Sequence, residues 1–249
     1  MRYLHPIGLK EKLIALGEYS AQSNERVLGI VERWSIHQQP DGARLIRADF
    51  QRDVDSYYTL SEVWVSPPAS GERIERLDVL LQRVKSAQSN RITYQFFDDH
   101  VEIGRTIASG DRLYEEYELP KGYIVTPYVE AAQGAALVKA ALNPAESWLI
   151  TPQYVFSTAL ENDPKEAFKP LISKLIVRAF GKEEITIDGK RYHATRYEYG
   201  YDHLQEQRIY LVDDNNIVLK YEARTKDDMY LVLLGNYLKT NTVKPKKHD

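Results

Sequence analysis

The sequence predicts a mostly β protein, a single curved antiparallel sheet forming an open or half β-barrel, with a small helical insert. Three observations carry that expectation. Tyrosine, a residue that favours strands, occurs 18 times in 249 residues. Apolar and polar residues alternate through one segment after another, the period of a half-buried strand. Short turn signals (Asp-Gly, Asp-Asp, Asn-Asn) separate those segments, as antiparallel hairpins require. A sheet of so many strands cannot stay flat. Its twist curls it into a barrel-like wall around a cavity.

The elements follow in order. Residues 27–37, VLGIVERWSIH, place Leu28, Ile30, Glu32, Trp34 and Ile36 on one strand face. Gln39-Pro40-Asp41-Gly42 is a turn, because Pro presets φ and Gly tolerates positive φ. Residues 43–51 return as the second arm of the hairpin. Residues 56–66 form a third strand, with Tyr58, Leu60, Glu62 and Trp64 on one face. Residues 72–84 fit two periods: Leu77, Leu80, Leu81 and Val84 have helical spacing, while Arg73, Glu75, Leu77, Val79 and Leu81 alternate. The strand is the preferred reading. Residues 91–97 and 101–107 flank an Asp98-Asp99-His100 turn, and 112–118 is a further short strand. Gly29 and Gly104, inside strands, mark bends or bulges.

The texture then changes. Residues 128–142, YVEAAQGAALVKAAL, form a helix by propensity, ended by Asn143-Pro144. Residues 148–157 are extended, and Asp163-Pro164-Lys165-Glu166 reads as a helix start. Strands resume at 172–180. Hairpins follow around Asp188-Gly189 and around Asp213–Asn216, and residues 229–238 close the sheet. One domain spans 1–249: β over 20–125, the helical insert over about 128–170, β over 172–240, and a basic disordered tail over 241–249.

Composition bounds the function. With 43% hydrophobic and 28% charged residues, the chain is an ordinary globular protein with enough length for a core. The absence of cysteine excludes disulfides, thiolate metal sites, a cysteine nucleophile and a lipobox anchor. A net charge of -3 argues against a nucleic-acid partner. No run approaches the ~18 apolar residues of a membrane span. The start lacks a signal-peptide apolar run, so a cytoplasmic location is expected. The six histidines show no metal-ligand spacing, and no P-loop, Gly-x-Gly-x-x-Gly or Gly-x-Ser-x-Gly motif occurs. No metal and no cofactor are therefore expected.

The run EEITIDGKRYHATRYEYGYDHLQEQRIYLVDDNNIVLKYEAR contains Gly189, Tyr192 and Ala194, then Tyr210 and Asp213, then Ile217, Leu219 and Lys220. In that pattern it resembles the closing half of DUF3108-type and LolA/LolB-like half-barrel proteins. The earlier ERWSIHQQPDGARLIRADF is similar to their opening hairpin. The resemblance covers about half the chain. It implies an unclosed barrel around an apolar cavity that binds lipid-like molecules, and it defines no catalytic residues.

The candidate site residues come from a repeated order: apolar, any, Glu, any, aromatic. It occurs in IVERW, in LSEVW and, more loosely, in LYEEY. In a strand the glutamate shares a face with its apolar neighbours. A carboxylate there either lines a partly wet cavity, pairs with a cross-strand arginine such as Arg47 or Arg91, or lies on an outer, wet face. In the cavity reading, Glu32 and Glu62 face one cavity as catalytic candidates, and Trp34, Trp64, Tyr58 and Glu115 line it. His193 and Tyr197, which share a face with Tyr199 and Tyr201, add a polar lining for an oxygenated ligand.

The expected function is binding of a hydrophobic or amphipathic small molecule in the cavity. The alternative is a cofactor-free enzyme, of cyclase or isomerase type, doing acid–base chemistry on a bulky apolar substrate. A third reading is a pocketless module that pairs through its edge strands.

Overall fold

The computed structural model describes residues 1–24, 26–53, 57–83, 88–106, 110–143, 147–153, 168–200, 207–224 and 229–240. The strands of the first half are β1 (Lys12–Ser23), β2 (Arg26–Gln38), β3 (Arg44–Arg52), β4 (Tyr57–Val65), β5 (Ile74–Arg83), β6 (Gln88–Phe96), β7 (His100–Thr106) and β8 (Arg112–Glu118). Then come the short β9 (Ile124–Val125), the helix α1 (Glu130–Ala141) and β10 (Ser147–Pro152). The second half is β11 (Pro170–Ile187), β12 (Lys190–Gly200), β13 (Gln207–Asp213), β14 (Val218–Arg224) and β15 (Met229–Lys239). The helix start expected at 163–166, Tyr201 and the basic tail lie outside the described residues.

All fifteen strands form one curved, unclosed sheet, in the order β8-β7-β6-β5-β4-β3-β2-β1-β15-β14-β13-β12-β11-β10-β9. The expected fold class is therefore the observed one. The two ends of the chain meet at its middle, where β1 pairs with β15. Each half of the chain fans outward from that seam by antiparallel pairing, and among the described strands only β9–β10 is parallel. The segment that fitted two periods is a strand, with Leu77, Val79 and Leu81 buried.

The sequence reading had no strand at 12–19, yet β1 is central. Its inward residues, Ala15, Gly17, Tyr19 and Ala21, are mostly small and give a weak alternation signal. They are small for a reason: a Cβ on Gly17 would lie 2.6 Å from the Trp34 ring. Gly29 does mark a bulge, with φ of 62° where the β1–β2 register shifts. Gly104 does not; it pairs regularly with Thr93 and Tyr114.

Curvature places α1 inside the concavity, packed against β3 on one side and β9, β11, β12 and β14 on the other. The helix is alanine-rich because it must approach backbone closely. Ala131, Ala132, Ala136 and Ala140 are buried, and a Cβ on Gly134 would lie 2.1 Å from the Asn216 carbonyl oxygen. Gly134→Ala should therefore cost ~2 kcal/mol through overpacking, despite the ~1 kcal/mol helix propensity that alanine gains. Thermal unfolding should show Tm lower by roughly 4–8 °C. Gly181→Ala, at an exposed glycine with nothing within 4 Å, should leave Tm unchanged.

Candidate ligand-binding cavity

The helix divides the concave space. On one side lies a cavity of about 710 Å³, and on the other one of about 530 Å³ floored by Ala131, Ala132, Ala135 and Ala136. The larger is bounded by β1–β3, by β10–β15 and by the first two turns of α1. Leu28, Ile30, Phe50 and Leu175 supply apolar wall, which strand alternation turns inward.

Four tyrosines run across neighbouring strands as a ladder. Ring centroids are 5.6 Å apart for Tyr199–Tyr210, 4.4 Å for the stacked Tyr210–Tyr221 pair, and 6.1 Å for the edge-on Tyr221–Tyr230 pair. The ladder follows from register, since Tyr210 stands directly opposite Tyr221, and Tyr199 and Tyr230 are diagonal to them. Tyr19 faces the cavity from β1, its hydroxyl donating to the Val218 carbonyl at 2.9 Å. Burial pushes the hydroxyl pKa values of Tyr19, Tyr210, Tyr221 and Tyr230 up, which keeps these groups neutral.

At the inner end sit two carboxyl groups. The helix begins after Val129, which has no capping side chain. Glu32, reaching from β2, substitutes for it: its Oε1 accepts the Glu130 backbone N–H at 3.0 Å. The Glu130 side chain also lines the cavity, and its Oε2 is buried with no hydrogen-bond partner among the described residues. Burial pushes the Glu130 carboxyl up to about 7. The Glu32 carboxyl is also raised, by burial and by the neighbouring Glu130 charge, against which the helix N–H groups act. Arg52 and Arg208 stand near strand ends, at the outer part of the lining, and Arg208 donates to the Tyr199 hydroxyl at 2.8 Å.

The structure separates the residues that the sequence grouped. Glu32 lines the cavity and Trp34 lies beneath it, stacked 5.8 Å from Tyr19 and tilted against Tyr237 at 6.0 Å. Glu62 is on the other face of the sheet, so the expectation that Glu32 and Glu62 share a cavity is corrected. The reason is register. Glu62 pairs with Arg47, whereas the cavity side of β3 carries Ile46, Ala48 and Phe50. Tyr58 and Trp64 share the outer face with Glu62 and do not line the cavity; the Arg2 guanidinium lies over the Tyr58 ring at 4.0 Å.

Glu62 is nevertheless buried, because residues 1–11 cover it. The His5 backbone N–H donates to it at 3.0 Å and Arg47 Nε at 3.2 Å, while Arg47 also reaches Glu11 at 2.6 Å. Glu115 is held by Arg105 at 2.5 Å near the β8 edge, away from the cavity; the cross-strand arginine is Arg105 rather than Arg91. His193 is exposed, outside the cavity. Tyr197 is buried opposite Tyr210 in the core wall, and its neighbour Tyr199 is the one that lines the cavity.

Sequence reasoning did not select Glu130, Tyr19, Tyr210, Tyr221, Tyr230 or Arg208. The tyrosine-rich closing strands carried the signal for three of them. Glu130, in YVEAAQ, has the appearance of an ordinary first-turn acid. One further group among the described residues has metal-ligand spacing: His100, Glu102 and Glu116, with candidate ligand atoms within 4.8 Å of one another on β7 and β8. His100 Nδ1 lies 2.7 Å from Asp99, so the group is also an ordinary surface charge cluster.

No helix among the described residues is long and apolar enough to cross a membrane. No protein-family model matches the chain, and no curated protein matches it. Among solved structures it is similar to a β-barrel-like protein of a domain of unknown function, DUF1849, from Brucella abortus. The match has a TM-score of 0.50 at 10% identity and covers 92% of this chain and 99% of that one. A DUF1329 family protein from Desulfovibrio piger matches over 94% of this chain and 88% of its own, at 10% identity and a TM-score of 0.27. Kinship with the DUF3108-type or LolA/LolB-like proteins in particular has no matching family model, and the likeness that stands is one of fold: a barrel-like β sheet.

Proposed function

We propose that the chain binds a hydrophobic or amphipathic small molecule in the larger cavity, as the resemblance to half-barrel proteins implies. One observation carries this reading: a cavity of about 710 Å³, walled by apolar and tyrosine side chains with a few converging polar groups. That is the size and chemistry of a small-molecule pocket. Burial of the apolar part supplies the affinity, at roughly 25 cal/mol per Å² before ordering costs. The polar groups orient the ligand's other end.

The test is native mass spectrometry of protein from its own host, followed by extraction of what is bound, with Ala223→Trp as control. Ala223 faces the cavity next to Tyr230, and an indole there fills it. The expected result is a retained apolar molecule that the variant has lost, with thermal unfolding of the variant matching that of ligand-stripped wild type. Equal retention by both proteins would place the molecule elsewhere and end the reading.

A second reading has its own observation. A buried carboxyl near 7 beside a cavity suits a general acid or base. A cofactor-free enzyme would use Glu130 together with Glu32, Glu62 having no access to the cavity. Turnover abolished in Glu130→Gln, with the ligand still bound, would favour it over a binder.

A further inference from the structure

The acid pair and the tyrosines together narrow the ligand class, given that the cavity is a ligand site. Two carboxyl groups lie within electrostatic range of each other, Glu32 buried and Glu130 half-buried with its Oε2 out of contact with solvent. The helix N-terminus serves Glu32, whose oxygen accepts the first N–H. Nothing among the described residues serves Glu130 Oε2. Around it are aromatic rings: Tyr19, Tyr210, Tyr221 and Tyr230 all lie within electrostatic range of the Glu130 carboxyl. The hydroxyl of Tyr19 is engaged with Val218, which leaves its ring to face the cavity. Aromatic faces beside carboxylates recognise organic cations.

We propose that the cavity takes an amphiphile whose head group is an organic amine or ammonium, seated between the Glu32–Glu130 pair and the rings of Tyr19, Tyr210, Tyr221 and Tyr230. A cation serves both carboxyl groups at once and removes their mutual repulsion. A hydroxyl head satisfies one oxygen and brings no charge to compensate an ionised carboxyl. A carboxylate or phosphate head adds a like charge to it. The lining's own cations do not fill this role. Arg208 is directed at the Tyr199 hydroxyl, and both it and Arg52 stand near strand ends. Glu32 lies four residues further along β2 than Leu28, another lining residue near a strand end. That sets the head-group site ~13 Å deep at the rise of a strand, room for a long apolar tail behind the charge.

The titratable and charged groups that line the site are Glu32, Glu130, Arg52, Arg208 and tyrosines 19, 128, 199, 210, 221 and 230. Of these, the Glu130 carboxyl, pushed up to about 7 by burial, takes up its proton between pH 8 and pH 5.5. Cation binding should weaken as the pH falls across that range.

The experiment is calorimetric titration of the full chain with decylammonium, decanol and decanoate, each below its micelle concentration, at pH 8 and pH 5.5. At pH 8 decylammonium should bind at least tenfold tighter than decanol, and decanoate weakest. At pH 5.5 the amine's advantage should shrink severalfold. Glu130→Gln should remove the amine's advantage, bringing decylammonium to the level of decanol measured on the same variant. Tyr221→Leu, which keeps the acid pair, should lose part of the amine's advantage. Decanol or decanoate binding as tightly as the amine would overturn the head-group assignment and leave the cavity standing. No binding by any of the three would remove the cavity reading and this proposal together.

Discussion

Arg47→Ala should destabilise the protein by ~3–5 kcal/mol, the range expected when one partner of a buried ion pair is removed. Only 2% of the Arg47 side chain is exposed, and 1% of Glu62. The guanidinium holds Glu62 through Nε at 3.2 Å and Glu11 through both terminal nitrogens at 2.6 and 3.1 Å. Deleting it leaves two carboxylates under the N-terminal segment with too few donors. At this chain length Tm should fall by 6–20 °C, ~2–4 °C per kcal/mol.

Two controls make the cause specific. Arg47→Met combined with Glu62→Gln removes one of the two uncompensated charges and should recover part of the loss. The pH dependence has a fixed sign. The Arg47 guanidinium lowers the Glu11 carboxyl to about 2, below its usual 4.5. A depressed carboxyl stabilises above its unfolded pKa and loses that contribution as pH falls through the folded one. The gap between wild type and Arg47→Ala should therefore be full above pH 4.5 and narrow toward pH 2. A gap that stays constant in acid would mean that Arg47 acts through packing, over the Tyr3 ring for instance, and not through its charge.

This buried network shows what a strand pattern can and cannot tell. IVERW and LSEVW have the same order, and each puts a glutamate on a face with apolar neighbours. Alternation within a strand assigns residues to a shared face. It does not say which face becomes concave. That is settled by register across two hairpins: Trp34 stands opposite Ala48, and Ala48 opposite Ser61, so the cavity side of β4 is Thr59, Ser61 and Val63. Glu62 falls on the other side. Glu32 takes the cavity; Glu62 and Glu115 take arginines.

The sheet itself was legible because its strands carry strong period-2 signals bounded by turn residues. β1 was not, because closeness to Trp34 has emptied Gly17 of a side chain, and alanine contributes little contrast. The cavity's acid pair was beyond reach for a different reason. Glu32 and Glu130 are 98 residues apart, and their meeting depends on a helix folding into the concavity so that its uncapped N-terminus meets β2. No local pattern encodes that meeting.

Glu130→Gln should make the protein more stable at pH 8 and leave it nearly unchanged at pH 4. Burial raises the Glu130 carboxyl from 4.5 to about 7. The native state thus binds a proton more tightly than the unfolded chain does. Between about pH 4.5 and 7 it holds the extra proton, and stability falls as the pH rises. Above 7 the full penalty remains, ~3 kcal/mol for a shift of this size. Glutamine is neutral at every pH and avoids it. Urea unfolding at the two pH values measures the difference. The gain should appear across the window from 4.5 to 7, with Glu32 contributing linked steps of the same sign, because its carboxyl is also raised. Equal stability of variant and wild type at pH 8 would mean that the carboxyl is solvated or paired, and would withdraw the basis for a charged head-group site. A stabilised variant that has lost decylammonium binding would show why the acid is retained: a residue that costs the empty fold stability becomes favourable when a cation joins it.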